Sequence, residues 1–170
     1  MILATGKRPK SLNVPGETEF RGKGLAYCAT CDAPLFRGRE VAVIGGGNSA
    51  LDAAIQLMRL CPKVYVINAA SGLTGDEVMR HTIENAPNVE IVNEARVTAV
   101  EGGRFVEGIT IVRRGETKRL AVGGVFVEVG LTPNAEFVKV LDKNDLGEIV
   151  VDCYNHTAIP GLFAAGDVTN

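Results

Sequence analysis

Apolar residues along this chain fall into short runs, and the period within the runs changes from one third of the sequence to the next. Val41–Ile44 is an unbroken apolar stretch, the pattern of a strand buried on both faces. From Asn48 the apolar positions Leu51, Ala54, Ile55 and Met58 recur at helical spacing until Pro62 stops the run. Val64–Ile67 is β-branched and reads as a second strand, so the three pieces form a βαβ unit. Thr74 is the expected N-cap of a further helix over residues 76–86, with Asp76 and Glu77 in its first turn, where they favour the helix dipole. Val89–Val92 is the third strand.

Beyond residue 95 the period shortens. Residues 96–100, 108–113 and 118–122 alternate or run β-branched between Gly102-Gly103 and Gly115, which predicts an antiparallel meander. Residues 124–129 return to a buried strand, broken by Gly130-Leu131-Thr132-Pro133-Asn134. A short helix over 136–141, a strand over 148–151 and an apolar strand over 161–167 follow. Residues 2–4 read as the end of a strand. Residues 8–24 read as a connector in which Pro9, Pro15 and Gly16 exclude a long helix. The expected fold is α/β: a Rossmann-like βαβ domain with a parallel sheet plus an antiparallel β-meander. Each end is a strand with nothing beyond it to pair, so the chain is expected to be a piece of a larger protein. Residues 9–155 would form the domain, with stubs of a neighbouring one at 1–8 and 156–170.

Composition narrows the function. An apolar content of 46% with 22% charged residues is that of a soluble globular protein. The formal charge of −2 predicts no attraction to nucleic acid or to an anionic membrane. The apolar runs are too short to span a bilayer, and no basic segment precedes the first of them, so a cytoplasmic location is expected. Four cysteines are present. Cys28 and Cys31 form a Cys-x-x-Cys pair, which in such a chain means redox chemistry or metal binding rather than a structural staple. Cys61 and Cys153 read as buried or inert thiols.

Two thiols at that spacing can close a disulfide with little chain movement and so store two electrons. Asp32, next to Cys31, is placed to hand a proton to a thiolate, or else to cap a turn. A zinc site would need two more ligands, and Cys61, Cys153, His81 and His156 show no paired spacing, so no metal is expected. His81, His156 and the pair Arg113-Arg114 read as exposed residues. After the Val41–Ile44 strand, Gly45, Gly47 and Ala50 occupy the positions of a G-x-G-x-x-[G/A] fingerprint, with Gly46, Asn48 and Ser49 between them. The first glycine permits a tight turn, the second lets a pyrophosphate approach, and the small third residue lets helix and strand pack closely. The helix N-terminus offers free N–H groups to the phosphates. About 20 residues on, an acid would read a ribose hydroxyl and arginines a 2′-phosphate. The sequence there is Ile67-Asn68-Ala69-Ala70-Ser71, with neither. Asn68 is a candidate ribose contact or simply a polar strand end.

With these residues in place, the chain resembles the thioredoxin reductase family of flavoprotein disulfide reductases. Ala4-Thr5-Gly6 is like that family's exit from its FAD domain, and Cys28-Ala29-Thr30-Cys31-Asp32 is like its redox centre. Gly45-Gly46-Gly47-Asn48-Ser49-Ala50 is like its pyridine-nucleotide loop, Val129-Gly130 with Pro133-Asn134 like the return strand, and residues 161–167 like the Gly-Asp motif that contacts FAD. The resemblance implies that Cys31 faces the flavin, Cys28 attacks a partner disulfide with Asp32 as acid, and Asp167 contacts FAD. The cofactors implied are FAD, in the intact protein only, and NADPH or NADH. The implied partner is a thioredoxin-like or other small disulfide protein, with a homodimer usual in the family. The stubs at 1–8 and 156–170 would belong to the FAD domain, and the chain by itself is expected to bind no FAD and turn nothing over. Where NADPH-using members carry a His-Arg-Arg cluster, this chain has Asn68-Ala69-Ala70. The same architecture serves the NADH-using flavoprotein of alkyl hydroperoxide reductase and ferredoxin-dependent reductases, and the residues do not choose among these donors. A non-catalytic nucleotide-binding module is the remaining alternative.

Overall fold

The structure, a computed structural model, describes residues 1–170 and divides into two compact units, residues 11–130 and residues 1–10 with 131–170. The chain begins in the smaller unit with β1 (Ile2–Leu3) and β2 (Lys7–Pro9). The larger unit opens with α1 (Glu17–Phe20), β3 (Leu25–Ala26) and α2 (Ala29–Asp32), the last continued by a 3-10 turn at Ala33–Phe36. It goes on through β4 (Val41–Ile44), α3 (Asn48–Leu57), β5 (Val64–Ile67), α4 (Glu77–Glu84) and β6 (Val89–Val92). It is completed by β7 (Ala95–Gly102), β8 (Val106–Arg113), β9 (Glu116–Leu120) and β10 (Gly124–Val127). β11 (Leu131–Pro133) and β12 (Phe163–Ala164) return to the smaller unit.

In the larger unit a parallel sheet of order β3-β10-β4-β5-β6 carries a different layer on each face. Successive strand residues point to opposite faces. Val41, Val43, Val64, Val66 and Phe126 therefore pack on Ala50, Leu51, Ala54 and Leu57 of α3 and on Ile83 of α4. Their neighbours Ala42, Ile44, Ile67, Val125 and Val127 pack on Ile109, Ile111 and Leu120 of the antiparallel meander β7-β8-β9. That double burial is why β4, β5 and β10 are unbroken apolar runs. Each fully buried Val, Leu or Phe contributes about 1.5–3 kcal/mol, so this sandwich is the stability core of the unit. Phe36 closes the edge, its ring edge-on to Phe126 at 4.9 Å. No helix is long and apolar enough to cross a membrane.

The expected connector over residues 8–24 has more order than its prolines suggested. Glu17, only 5% exposed, accepts hydrogen bonds from the N–H groups of Leu12 and Asn13 and from the Tyr27 hydroxyl, each at 2.7 Å. Burial of the ring, and then the bond to Glu17, push the Tyr27 phenol up to about 12. One carboxylate thus pulls an irregular segment onto the sheet edge. Helix α4 is capped by Asp76, not by Thr74: Asp76 Oδ1 accepts from the N–H of Val78 at 2.9 Å and of Met79 at 3.3 Å. Thr74 is committed elsewhere, its N–H donating to Gly46 O at 2.8 Å.

In the smaller unit β1 pairs parallel with β12, and β2 pairs antiparallel with β11. Leu3, Ala135, Val138, Leu141, Ile149, Leu162, Ala164 and Val168 form its core. Lys7 Nζ meets Glu148 Oε1 at 2.5 Å, and Arg8 pairs with Glu136 and donates to Asn134 Oδ1 at 2.7 Å. The helix expected over 136–141 does not form, and the segment is a turn at 136–137 followed by irregular chain. So short a segment cannot nucleate a helix alone, and with Phe137 and Val140 exposed it has too narrow an apolar face to be held by packing. The strand expected over 148–151 shrinks to bridges from Ile149 to Lys143 and Thr169, and that over 161–167 to two residues.

Glu17→Ala leaves three donors without their acceptor. It should lower unfolding stability by roughly 2–4 kcal/mol in urea denaturation of the chain, against under about 1 kcal/mol for Glu19→Ala at the exposed position two residues on.

Candidate functional site

A cleft of about 720 Å³ opens at the C-terminal ends of the parallel strands. Strands β5 and β6 continue on one side of β4 and β10 lies on the other, so the gap between β4 and β10 is where the sheet order reverses, the usual place for a ligand in an open α/β sheet. The cleft is lined by Gly45 to Ser49 after β4, by Asn68 after β5, and by Glu128, Val129 and Gly130 after β10. Eight residues expected from sequence therefore meet in one cavity: Gly45, Gly46, Gly47, Asn48, Ser49, Asn68, Val129 and Gly130. Ala50, fully buried, lies beneath it.

The three glycines do different things. Gly45 has φ +143°, and a Cβ there would stand 2.2 Å from Glu128 O and 3.0 Å from Ala50 Cβ. Here the ends of β4 and β10 and the start of α3 come too close to admit a side chain. A Cβ on Gly46 would stand 2.5 Å from Asn68 Oδ1. Gly47 has an ordinary φ of −94° and nothing nearer its Cβ position than Thr74 Oγ1 at 4.0 Å, so its missing side chain leaves open space in front of α3. No side chain caps α3, and its first N–H groups face that space. The cradle fits a phosphate-bearing nucleotide, since a Cβ at Gly47 would project where a pyrophosphate must approach.

Asn68 and Asn48 prove to be braces. The Asn68 amide donates to Gly72 O and Asn93 Oδ1 at 2.9 Å and to Ala70 O at 3.3 Å, while Oδ1 accepts from Ala70 N. Only 5% of the residue is exposed, and its polar atoms are spent on shaping the loop. Asn48 Oδ1 accepts from Asp76 N at 2.7 Å and so ties the start of α4 to the glycine loop.

Cys28 and Cys31 are joined as a disulfide, with Cα atoms 5.4 Å apart. Cys28 caps α2, its Sγ accepting from Cys31 N at 3.2 Å. Cys31 is exposed, while Cys28 and Asp32 are half-buried. The helix bearing the disulfide is fastened to the helix bearing the glycine loop: Gln56 Nε2 donates to Thr30 Oγ1 at 3.3 Å and to Asp52 Oδ2 at 2.7 Å.

Glu128 is a site residue that the sequence reading does not name. It lines the cleft. Burial, opposed by the backbone N–H of Ala29 at the start of the disulfide helix and reinforced by nearby Asp52, pushes its carboxyl up to about 7. Its signal in the sequence is that of the one charged residue inside the apolar run 124–129.

The remaining candidates lie elsewhere. Asp167 is exposed in the smaller unit, just after Gly166. Cys61 is buried, its thiol pushed up by burial, whereas Cys153 is exposed on an irregular segment that follows no strand. His156 pairs with Asp152 at 3.0 Å, and Arg114 pairs with Glu94 at 2.6 Å.

The sequence profile of the family described as "Pyridine nucleotide-disulphide oxidoreductase" matches residues 1–170. The chain belongs to this family. It is 48% identical over 173 aligned residues to "NADH dehydrogenase" of Bacillus subtilis (strain 168), covering 100% of this chain and 34% of that protein. It is 46% identical to a component of the alkyl hydroperoxide reductase of Pseudomonas putida, covering 99% of this chain and 33% of that protein. Among solved structures, thioredoxin reductase from Lactococcus lactis superposes with a TM-score of 0.90 at 35% identity, covering 99% of this chain and 57% of that one. Thioredoxin reductase from T. acidophilum gives 0.90 at 38%, with the same coverage. The chain thus spans about a third of the length of the curated relatives it matches. The α/β layering of parallel sheet and antiparallel strands is that of this oxidoreductase family.

Two outcomes follow for a pyridine nucleotide-disulphide oxidoreductase built this way. Gly45→Ala forces a left-handed φ and a backbone overlap, so it should cost about 3 kcal/mol or more in urea unfolding, while Gly47→Ala should stay within about 0.5 kcal/mol of the parent. Glu128 retains its proton in the fold to about pH 7 but loses it near its usual 4.5 when unfolded, so between those values the folded state binds more protons. Its contribution is therefore complete below pH 4.5 and is lost as pH rises through about 7. Denaturant midpoints taken across this window should fall more steeply for the parent than for Glu128→Gln.

Proposed function

We propose that this chain is the pyridine-nucleotide half of a flavin-dependent disulfide reductase, with Cys28–Cys31 as the redox pair and the glycine-loop cleft as the nucleotide site. The observation that carries the reading is the mechanical union of the two. The disulfide helix is pinned to the glycine-loop helix through Thr30, Gln56 and Asp52.

The backbone of Gly45 to Ser49 and the open N-terminus of α3 would hold the nucleotide phosphates, with Val129 and Gly130 walling the cleft opposite. In the intact protein a reduced nicotinamide and FAD supply the two electrons. Reduction breaks the Cys28–Cys31 bond and takes up two protons when both sulfurs end as thiols. Asp32, one residue after Cys31, is placed to pass a proton in that exchange. Cys28 then attacks a disulfide of a small thioredoxin-like protein, forming a mixed disulfide that Cys31 resolves, which restores the original bond and releases a dithiol partner. Residues 1–8 and 156–170, with Asp167 as a flavin contact, would belong to the FAD domain.

A second reading is supported by a separate observation. The end of β5 offers Asn68, Ala69 and Ala70 where NADPH-using thioredoxin reductases carry cations, and the relatives at 46–48% identity are named for NADH dehydrogenase and for alkyl hydroperoxide reductase. The NADH-linked peroxide-reductase role therefore stands beside the thioredoxin role, with the same cysteines in the same positions.

In the complete parent protein, Cys28→Ser and Cys31→Ser should each reduce turnover of a small disulfide protein to background, with NADH and NADPH assayed separately, while nucleotide binding persists. Turnover that survives either substitution would sink the assignment. Flavin reduction by neither nucleotide would remove its nicotinamide half.

A further inference from the structure

The cleft is nearly neutral. Two charged side chains line it: Glu128 beside the end of β10 and Arg96 on β7. Dinucleotide binding, the function proposed for this cleft and the one on which this inference rests, must bring at least two phosphate charges into that space. The backbone N–H groups at α3 offset part of this charge. The end of β5, where the fingerprint logic looks for the residue that reads the adenosine half, supplies nothing: the Asn68 amide is spent on Ala70, Gly72 and Asn93, and the next two residues are alanines.

The chain replaces that missing group from the neighbouring layer. Ala95 N–H donates to Asn68 O at 3.0 Å, and Glu94 N–H donates to Ala70 O at 3.0 Å, so the first residues of β7 are bonded directly to the end of β5. Ala95 turns inward, 1% exposed, and Arg96 alternates outward into the cleft. Its guanidinium, like those of most arginines of the chain, enters none of the ion pairs, and it differs from those others in lining the cleft. The acid nearest to it in sequence, Glu94, is occupied by Arg114 through Nε and Nη2 at 2.9 and 2.6 Å. A guanidinium outside every ion pair, lining the cleft into which the glycine loop opens, is placed to meet an anion.

We propose that Arg96 is the specificity-determining residue for the adenosine half of the nucleotide, binding a phosphate there in place of the cations absent from residues 68–70. Its five-donor fork matches a phosphate bidentately. The phosphate is either the 2′-phosphate that distinguishes NADPH or the diphosphate that both nucleotides share. Glu128, across β4 on the β10 side, is then left to the nicotinamide half, so the cleft reads the two ends of its ligand with opposite charges.

Calorimetric titration of the 170-residue chain with NADPH and with NADH, for parent, Arg96→Ala and Arg96→Lys, tests this. Arg96→Ala should weaken binding roughly 10- to 100-fold at low salt, with the deficit narrowing as salt rises, and Arg96→Lys should recover part of it. A loss confined to NADPH supports the proposal and assigns the 2′-phosphate, and an equal loss for both nucleotides supports it and assigns the diphosphate. A change under about twofold for both overturns it, as does a lysine variant no better than the alanine one. If the parent binds neither nucleotide, the dinucleotide reading of the cleft fails first and takes this proposal with it.

Discussion

The architecture turns on one point of closest approach. β4 is buried on both faces, and Gly45 must leave it, pass the carbonyl of Glu128 and start α3 against Ala50 within a space that admits no Cβ. The sheet fixes that geometry: β10 lies in register beside β4, Glu128 N–H donates to Ile44 O at 2.8 Å, and Gly45 N–H donates to Ile67 O at 2.9 Å on the other side. Because the turn is held from both neighbours, the N–H groups of α3 aim into the cleft before any ligand arrives. Such preorganisation lowers the ordering cost of binding. Everything the chain offers chemically is arranged relative to this corner.

The disulfide is one of those things. Helix α2 is only one turn long and could not keep its place by its own hydrogen bonds. It is held from below by Ala29 and Ala33, both buried in the core beneath α3, and from the side by the Thr30–Gln56–Asp52 chain. Cys31 stays exposed while its helix stays fixed, the combination a thiol-exchange centre requires: access for an incoming sulfur and no freedom for the pair to drift apart. Glu128 adds an electrostatic link. Its carboxyl lines the cleft, and burial raises it toward neutrality against the pull of the Ala29 N–H at the start of the disulfide helix.

How much of this the sequence disclosed depends on whether the relevant signal is local. The runs Val41–Ile44, Val64–Ile67 and Val89–Val92, the period of α3 and the meander were all legible, because burial on two faces, on one stripe or on one side leaves distinct periods. The glycine loop and the cysteine pair were legible for the same reason: each is a constraint between residues a few positions apart. What failed was long-range or competitive. Thr74 looked like a cap, but its backbone was claimed by Gly46, 28 residues earlier, and Asp76 took the role. The helix over 136–141 had the right composition and too little apolar surface turned inward. Asn68 was open between a ribose contact and a polar strand end, and the partners of its amide, Ala70, Gly72 and Asn93, could not be read from one strand end. Glu17, Glu128 and Arg96 owe their importance to partners or cavities assembled from distant segments, and no window of the sequence contains those.

The three layers also separate functions that could otherwise interfere. The glycine corner belongs to the interface between the sheet and its helices, where packing tolerates almost no change of volume. Arg96 belongs to the opposite layer, on an exposed position of β7 whose backbone alone is bonded to the sheet. A substitution at Arg96 alters charge in the cleft without entering the core, whereas one at Gly45 alters the core before it alters the ligand. A fold with this division can hold its phosphate cradle constant and change which phosphates it prefers. That accounts physically for how a strand end without cations, Asn68-Ala69-Ala70, can coexist with an intact nucleotide loop: in this arrangement the loop supplies grip, and the meander supplies the choice.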